Sequence, residues 1–169
     1  MQPAEIRRLQ EADRAALWPA LWPVIAPVFR AGETYPTDPE ISESDAREYW
    51  LETPSATYVA IDAARTLLGT YYIRPNQPTL GDHVCNCGYI VAEEARGQGL
   101  ALTLCRHSQE QARALGFSAM QYNLVIATNE AAIKVWRRGG LEIIGTLPKA
   151  FRHKRLGLVD AHIMYRLLD

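Results

Sequence analysis

The residues best suited to chemistry lie in one run, Val91-Ala92-Glu93-Glu94-Ala95-Arg96-Gly97-Gln98-Gly99-Leu100-Ala101. A strand-like segment ends there, a short charged loop follows, and a helical pattern opens with two glycines and an arginine. The first N–H groups of a helix have no partner within it and lie at the positive end of its dipole, and glycines without Cβ atoms let an anion approach them. The spacing therefore predicts a phosphate cradle from Arg96 to Ala101. The same glycines would also serve a bare tight turn. A dinucleotide fingerprint needs a small residue where Leu102 stands, and the Lys-Ser/Thr of a P-loop is missing, so neither of those nucleotide sites is expected.

Other residues carry weaker signals. Asn86 and Asn123 fall inside strand-like segments, where asparagine is disfavoured; each must find partners or cost about 1–3 kcal/mol. They either bond to each other or face a site. Asn129 stands where a helix N-cap is expected. Cys85, Cys87 and Cys105 are odd in number and lack C-x-x-C spacing, which predicts reduced thiols, and with no adjacent imidazolium none is an expected nucleophile. His83, His107 and His162 have no partner at ligand spacing, so no metal site is expected. Lys149-Ala150-Phe151-Arg152-His153-Lys154-Arg155 reads as a basic, solvated turn, or as a segment that closes over a site and draws in an anion.

The string from Glu94 to Ala101 resembles the acyl-CoA-binding motif of the GNAT superfamily of N-acetyltransferases, Gln/Arg-x-x-Gly-x-Gly/Ala. Gly97 and Gly99 match, Arg96 sits where that superfamily very often has arginine, and Glu94 departs from the first position. Asn129-Glu130-Ala131-Ala132 through Gly139-Gly140-Leu141-Glu142 resembles the same superfamily's Asn-x-x-Ala helix and the turn after it. The resemblance implies acetyl-CoA in a cleft between two splayed parallel strands, around Tyr89 and Tyr122. It places the pyrophosphate on Arg96, Gly97, Gln98, Gly99, Leu100 and Ala101, and the pantetheine amides along Ile90 and Val91.

Within the superfamily, Val84-Cys85-Asn86-Cys87-Gly88-Tyr89, Gln121-Tyr122-Asn123-Leu124-Val125, Thr128-Asn129-Glu130 and Gly145-Thr146-Leu147-Pro148 look like the branch containing the fungal acetyltransferases of azetidine-2-carboxylate and related cyclic amino acids. That likeness implies that Asn86 holds a substrate carboxylate, Asn123 orders the catalytic cleft and Asn129 contacts the cofactor. A main-chain N–H near Tyr89 is the expected oxyanion donor. Many members place a tyrosine where Trp136 stands here, and an indole N–H cannot protonate a leaving sulfur, which leaves Tyr122 as the candidate donor. The strand before the loop offers Asn86 and Cys87 where relatives place a glutamate, so the expected route for the amine's proton is water relayed to Glu33 or Tyr35. The implied activity is acetyl-CoA-dependent N-acetylation of a small amine, an amino acid or cyclic imino acid, by direct transfer in a ternary complex. A protein or peptide N-acetyltransferase and a non-catalytic acyl-CoA-binding module are the alternatives, and dimerisation through the C-terminal strands is common among the look-alikes.

Composition bounds these readings. With 169 residues, 48% of them apolar, one domain over 1–169 is expected. Lys+Arg total 18 against Asp+Glu 19, so no global positive field favours nucleic acid or an anionic membrane. No apolar run approaches the roughly 20 residues that cross a bilayer, and Met1 to Asp13 lacks a signal-peptide core, which predicts a cytoplasmic protein.

The elements that must position these residues follow from periodicity. Ala4 to Leu9 reads as a strand; Glu11 to Phe29 as a helix kinked or broken by Pro19, Pro23 and Pro27. A helix capped by Ser42 is expected to stop before Pro54. Thr57 to Ile61 and Leu67 to Ile73 form a hairpin, His83 to Val91 a strand, Gly97 to Leu115 a helix closed by Gly116. Met120 to Ile126 is a strand, Asn129 to Arg138 a helix, and Glu142 to Leu147 and Val159 to Leu167 two last strands. The strand-helix-strand unit from Val84 to Ile126 implies a right-handed crossover and a parallel pair. The expected fold class is α/β (α+β), a mixed, mostly antiparallel sheet with a central splayed parallel pair flanked by helices.

Overall fold

The computed structural model describes residues 4–168. Its elements are β1 (Glu5–Arg8), α1 (Glu11–Ala31), α2 (Glu43–Arg47) continued by a π-helical turn (Glu48–Glu52), β2 (Ala56–Ile61), β3 (Leu67–Pro75), β4 (Val84–Val91), α3 (Leu100–Ala114), β5 (Ala119–Ile126), α4 (Glu130–Arg138), β6 (Glu142–His153) and β7 (Gly157–Leu167). The strands form one sheet in the order β1-β2-β3-β4-β5-β7-β6. Only β4 and β5 run parallel, as the crossover through α3 requires; every other pair is antiparallel.

Alternation along the strands divides the core between the two faces of the sheet. Tyr71 and Ile73 of β3, with Cys85 and Cys87 of β4, pack on the face covered by α3. Tyr72 and Ile90 point to the other face, against Trp18, Leu21, Ile25 and Phe29 of α1 and Trp50. Leu21, Ile25, Phe29 and Trp50 are almost wholly buried, each worth about 1.5–3 kcal/mol of apolar burial.

Two expectations are corrected. Pro19, Pro23 and Pro27 do not break α1, which runs unbroken over 21 residues. Their spacing of four puts all three on the exposed side, opposite the buried Trp18, Leu21, Ile25 and Phe29. The carbonyls they leave without a helical donor, those of Ala15, Pro19 and Pro23, therefore lie on the wet face, where water replaces the missing bonds. The basic segment is not a free turn either: Lys149 to His153 continue β6, paired with β7 through Phe151↔Val159 and His153↔Gly157. A bulge between Leu147 and Phe151 absorbs the register shift, with Lys149 at φ +51 and its N–H bonded to Asp160 Oδ1 at 2.8 Å.

The Tyr71 hydroxyl of β3 lies 2.7 Å from Nδ1 of His107 on α3, with the ring of Tyr58 stacked on Tyr71 at 4.7 Å. Burial lowers the His107 pKa from its usual 6.5 and raises that of Tyr71, so the contact favours the neutral forms of both. The unfolded chain then binds the proton more readily than the folded one, and stability falls as pH drops below about 6.5. Urea unfolding between about pH 5 and 7 should show this loss, and His107→Gln should flatten it.

Candidate functional site

Between β4 and β5 the pairing stops almost as soon as it starts. Only Val84↔Ala119 and Cys85↔Met120 are in register, although both strands run on for six more residues, to Val91 and Ile126. Asn86 Nδ2 donates to the carbonyl of Gln121 at 3.0 Å as the last stitch. Beyond it the strands diverge around a cleft of about 670 Å³. The bonds Ala92 N–H to Leu68 O and Asn76 N–H to Val84 O set the even-numbered residues of β4 as the ones bonded to β3. The main chain of Cys87, Tyr89 and Val91 faces the gap. Ile90 lines the cleft with its side chain, but its peptide groups turn toward β3, which corrects its expected place as a main-chain partner.

The cleft leads to the start of α3. Gly97 and Gly99 sit at φ +74 and +84, conformations that glycine adopts without penalty. A Cβ built on either would meet nothing within 4 Å, so the space above the loop is open. Gly99 gives α3 no side-chain cap, and the first turn carries no acid, whereas α1, α2 and α4 each have an acidic residue there. The positive end of a 15-residue helix is thus left without a compensating charge, beside Arg96, whose Nε reaches Val91 O at 3.4 Å. Leu100 and Ala101 complete this end of the lining. Gln98 turns back to donate to Glu94 O at 3.0 Å and is not part of it. Asn129 lines the cleft and caps α4, accepting from Ala132 N–H at 3.2 Å.

A chain of hydroxyls stands on the α3 face. Ser108 donates to Cys105 O at 2.8 Å, Tyr89 lies 2.6 Å from Ser108 Oγ, and Tyr122 lies 2.7 Å from Tyr89. Because Ser108 has spent its proton on a carbonyl, Tyr89 donates to Ser108 and Tyr122 donates to Tyr89. Burial pushes both phenols well above their usual range. Trp136 packs against the two rings, at 4.8 Å from Tyr89 and 5.3 Å from Tyr122. Burial likewise pushes the Cys87 thiol up, so it is a packed hydrophobe and not a thiolate.

The other end holds Asn86, Tyr35 and Asn123, together with three side chains that sequence reasoning passed over: Tyr49, Tyr72 and Arg74. Asn86 and Asn123 do not bond to each other; Asn123 Nδ2 donates to Asn76 Oδ1 at 2.6 Å and its Oδ1 accepts from Gln121 at 2.9 Å. Tyr35 donates to the carbonyl of Tyr89 at 3.0 Å, and burial raises its pKa, so it holds the gap and does not accept protons. Glu33 is withdrawn from the cleft altogether. Its carboxylate is paired with Arg155 from the β6–β7 hairpin, which holds its pKa below the ordinary value. Neither residue is a base as expected, and the described residues lining the cleft include no aspartate, glutamate or histidine.

The chain matches the acetyltransferase (GNAT) family over residues 18–140. The N-acetyltransferase aca1 of Schizosaccharomyces pombe is 31% identical over 148 residues, 78% of this chain and 71% of that one. Among solved structures, a GCN5-related N-acetyltransferase from Kribbella flavida superposes with a TM-score of 0.89 at 40% identity, covering 98% of both chains. A phosphinothricin acetyltransferase from Sinorhizobium meliloti in complex with AcCoA shares the fold, with a TM-score of 0.82 at 19% identity over 98% of this chain and 89% of that one.

Gly88 makes room for the ring of Tyr72. A Cβ there would stand 2.5 Å from the ring of Tyr72, which packs edge-on against Trp50 at 4.9 Å. Gly88→Ala should therefore displace Tyr72 and cost about 1–3 kcal/mol, seen as a lower urea midpoint at unchanged slope.

Proposed function

The chain belongs to the GNAT family of acetyltransferases, and from that premise we propose that it acetylates the nitrogen of a small amine, an amino acid or cyclic imino acid, by direct transfer from acetyl-CoA in a ternary complex. The observation that carries this reading is the open gap between β4 and β5 running into the uncapped, glycine-opened start of α3. The space left by the missing Cβ atoms of Gly97 and Gly99 fits a pyrophosphate on the N–H groups of Gly97, Gly99, Leu100 and Ala101, with Arg96 beside it. Acetyl-CoA supplies an acyl group activated as a thioester. The main chain of Tyr89 and Val91 would hold the pantetheine arm as an added strand, and the Tyr89 N–H would receive charge developing on the acyl oxygen.

The protein's part is chiefly placement, which for well-oriented reactants is worth about 7–11 kcal/mol. Asn86 would hold a carboxylate of the acceptor, and Asn123, fixed by Asn76 and Gln121, would order the wall beside it. Tyr122, which lines the cleft beside Trp136, would serve as the proton source in place of the family's usual tyrosine at Trp136. At rest its proton points to Tyr89, so donation to a departing sulfur requires rotation of that hydroxyl. With no carboxylate or imidazole in the lining, the ammonium of the acceptor would lose its proton to water before transfer. The strings Val84–Tyr89 and Gln121–Val125, which resemble the fungal cyclic-amino-acid branch, border the acceptor end and support an imino acid among the substrates.

The test is thiol release from acetyl-CoA across amino acids, cyclic imino acids, polyamines and short peptides, with product masses confirmed. Turnover of one small class is expected, and kcat/KM should climb with pH toward the acceptor's own ammonium pKa. A plateau near neutrality with every acceptor would reveal a protein base. CoA binding without any turnover would favour a binding module. Gly99→Trp should fill the cradle and abolish CoA binding in calorimetry while unfolding stays cooperative; retained affinity would remove the cradle assignment.

A further inference from the structure

Arg74, the penultimate residue of β3, has no anion to meet. Among the described residues its guanidinium makes no ion pair and no hydrogen bond. It is seated instead against two rings, 5.2 Å from the centroid of Tyr49 and 5.0 Å from that of Tyr72. Those rings meet edge-on at 5.9 Å with their hydroxyls 3.3 Å apart, and Tyr72 is buried between Trp50 and Gly88. Contacts of this kind fix a guanidinium by its face and leave its N–H edge unspent.

That edge lines the cleft. Arg74 and Asn86 are register partners in a hydrogen-bonded pair of β3 and β4. Their side chains therefore rise from the same face, with Cβ atoms about 5 Å apart. Asn86 spends one N–H on Gln121 O and keeps the other. The cleft is lined by Arg74, Arg96 and Arg138 and by no acidic residue among those described. Arg96 lies at the Val91 end of β4, with the phosphate cradle, while Arg74 lies at the Asn86 end with Tyr35, Tyr49 and Tyr72. Arg74 is half-buried, held against two rings, and without a counter-ion among the described residues, which leaves its charge and N–H groups free for an anionic ligand in the cleft.

We propose that Arg74 is the anion anchor of the acceptor subsite, so that the protein selects amines bearing a nearby carboxylate and rejects carboxamides, polyamines and peptide amino termini. The proposal rests on the acetyltransferase reading above and deepens it. Asn86 alone offers a neutral donor that suits a carboxamide as well as a carboxylate. The guanidinium adds charge and a two-pronged edge that matches only the latter. A peptide amino terminus would bring a neutral amide to this edge, and a polyamine would bring a second cation.

Initial rates at saturating acetyl-CoA with L-proline, L-prolinamide and pyrrolidine, and in parallel with L-methionine and L-methioninamide, test the assignment in the parent protein and in Arg74→Gln and Arg74→Lys. The parent should prefer each acid over its amide. Arg74→Gln should raise the KM of the acids about 10- to 100-fold and collapse the preference for acid over amide, with the KM of acetyl-CoA unchanged. Arg74→Lys, which keeps the charge and loses the fork, should fall between the two and guards against a glutamine variant that fails to fold. A parent that uses amides as well as acids, or a variant that loses all acceptors equally, overturns the role of Arg74 while leaving the acetyltransferase reading in place. Silence with every acceptor from a parent that binds CoA in calorimetry removes that reading and the proposal together.

Discussion

The architecture depends on an unfinished pairing. Two register pairs hold β4 to β5, and then the parallel strands part with their inward peptide groups unmatched. Buried main-chain N–H and C=O groups must be paired or hydrated, so a gap of this kind is stable only where something fills it. Part of the filling is internal: Asn86 takes up the Gln121 carbonyl and Tyr35 takes up the Tyr89 carbonyl. The remainder is the space between the parted strands, lined by Tyr89 and Val91, which opens onto a helix start with no acid in its first turn. The same defect in the sheet creates both the slot for an extended molecule and the approach to its phosphates.

The sheet also sorts the chemistry. Because β3 and β4 alternate strictly, hydroxyls and thiols gather on the α3 face, while Arg74, Asn86 and Tyr72 gather on the α1 face. In the proposed reaction an acceptor on the α1 face would meet an acyl group from the α3 end at the edge of β4. The buried phenols on the α3 face are poor acids in isolation, and their joint orientation through Ser108 gives them a single direction of donation. Trp136, lacking a hydroxyl, contributes shape and excludes water on that side.

How much of this is legible in the sequence depends on whether a feature is local. The glycine-opened start of α3 is local, and a single strand-loop-helix pattern exposes it, although that pattern does not show Gln98 turning away to Glu94 O; the parallel pair follows from the handedness of one crossover. The helix α1 misleads because proline is read one residue at a time, whereas the spacing of Pro19, Pro23 and Pro27 places them together on the wet side. Glu33 misleads because an acid in an early loop looks available, and its partner Arg155 lies 122 positions away. The acceptor end is least legible: Tyr49, Tyr72 and Arg74 come from separate elements, and an arginine at the end of a strand carries no signal until the rings beneath it are known. The Tyr122–Tyr89–Ser108 chain has the same origin, joining β5, β4 and α3 through contacts that no spacing encodes.

The β6–β7 hairpin has a mechanical meaning. Its tip crosses back to the loop after α1, where Lys154 N–H bonds Gly32 O at 3.0 Å and Arg155 grips Glu33. The half of the sheet built from β1 to β4 and the half built from β5, β7 and β6 are thus joined at this strap as well as along the short β4–β5 seam and by the Tyr89–Tyr122 and Asn76–Asn123 bonds. The strap is an exposed ion pair with one main-chain bond and a bond from Lys154 Nζ to Arg30 O at 3.3 Å, and dissolved ions weaken contacts of that kind. That tie begins at Glu33, two residues before Tyr35 in the wall of the cleft, and joins it to a hairpin 122 positions away.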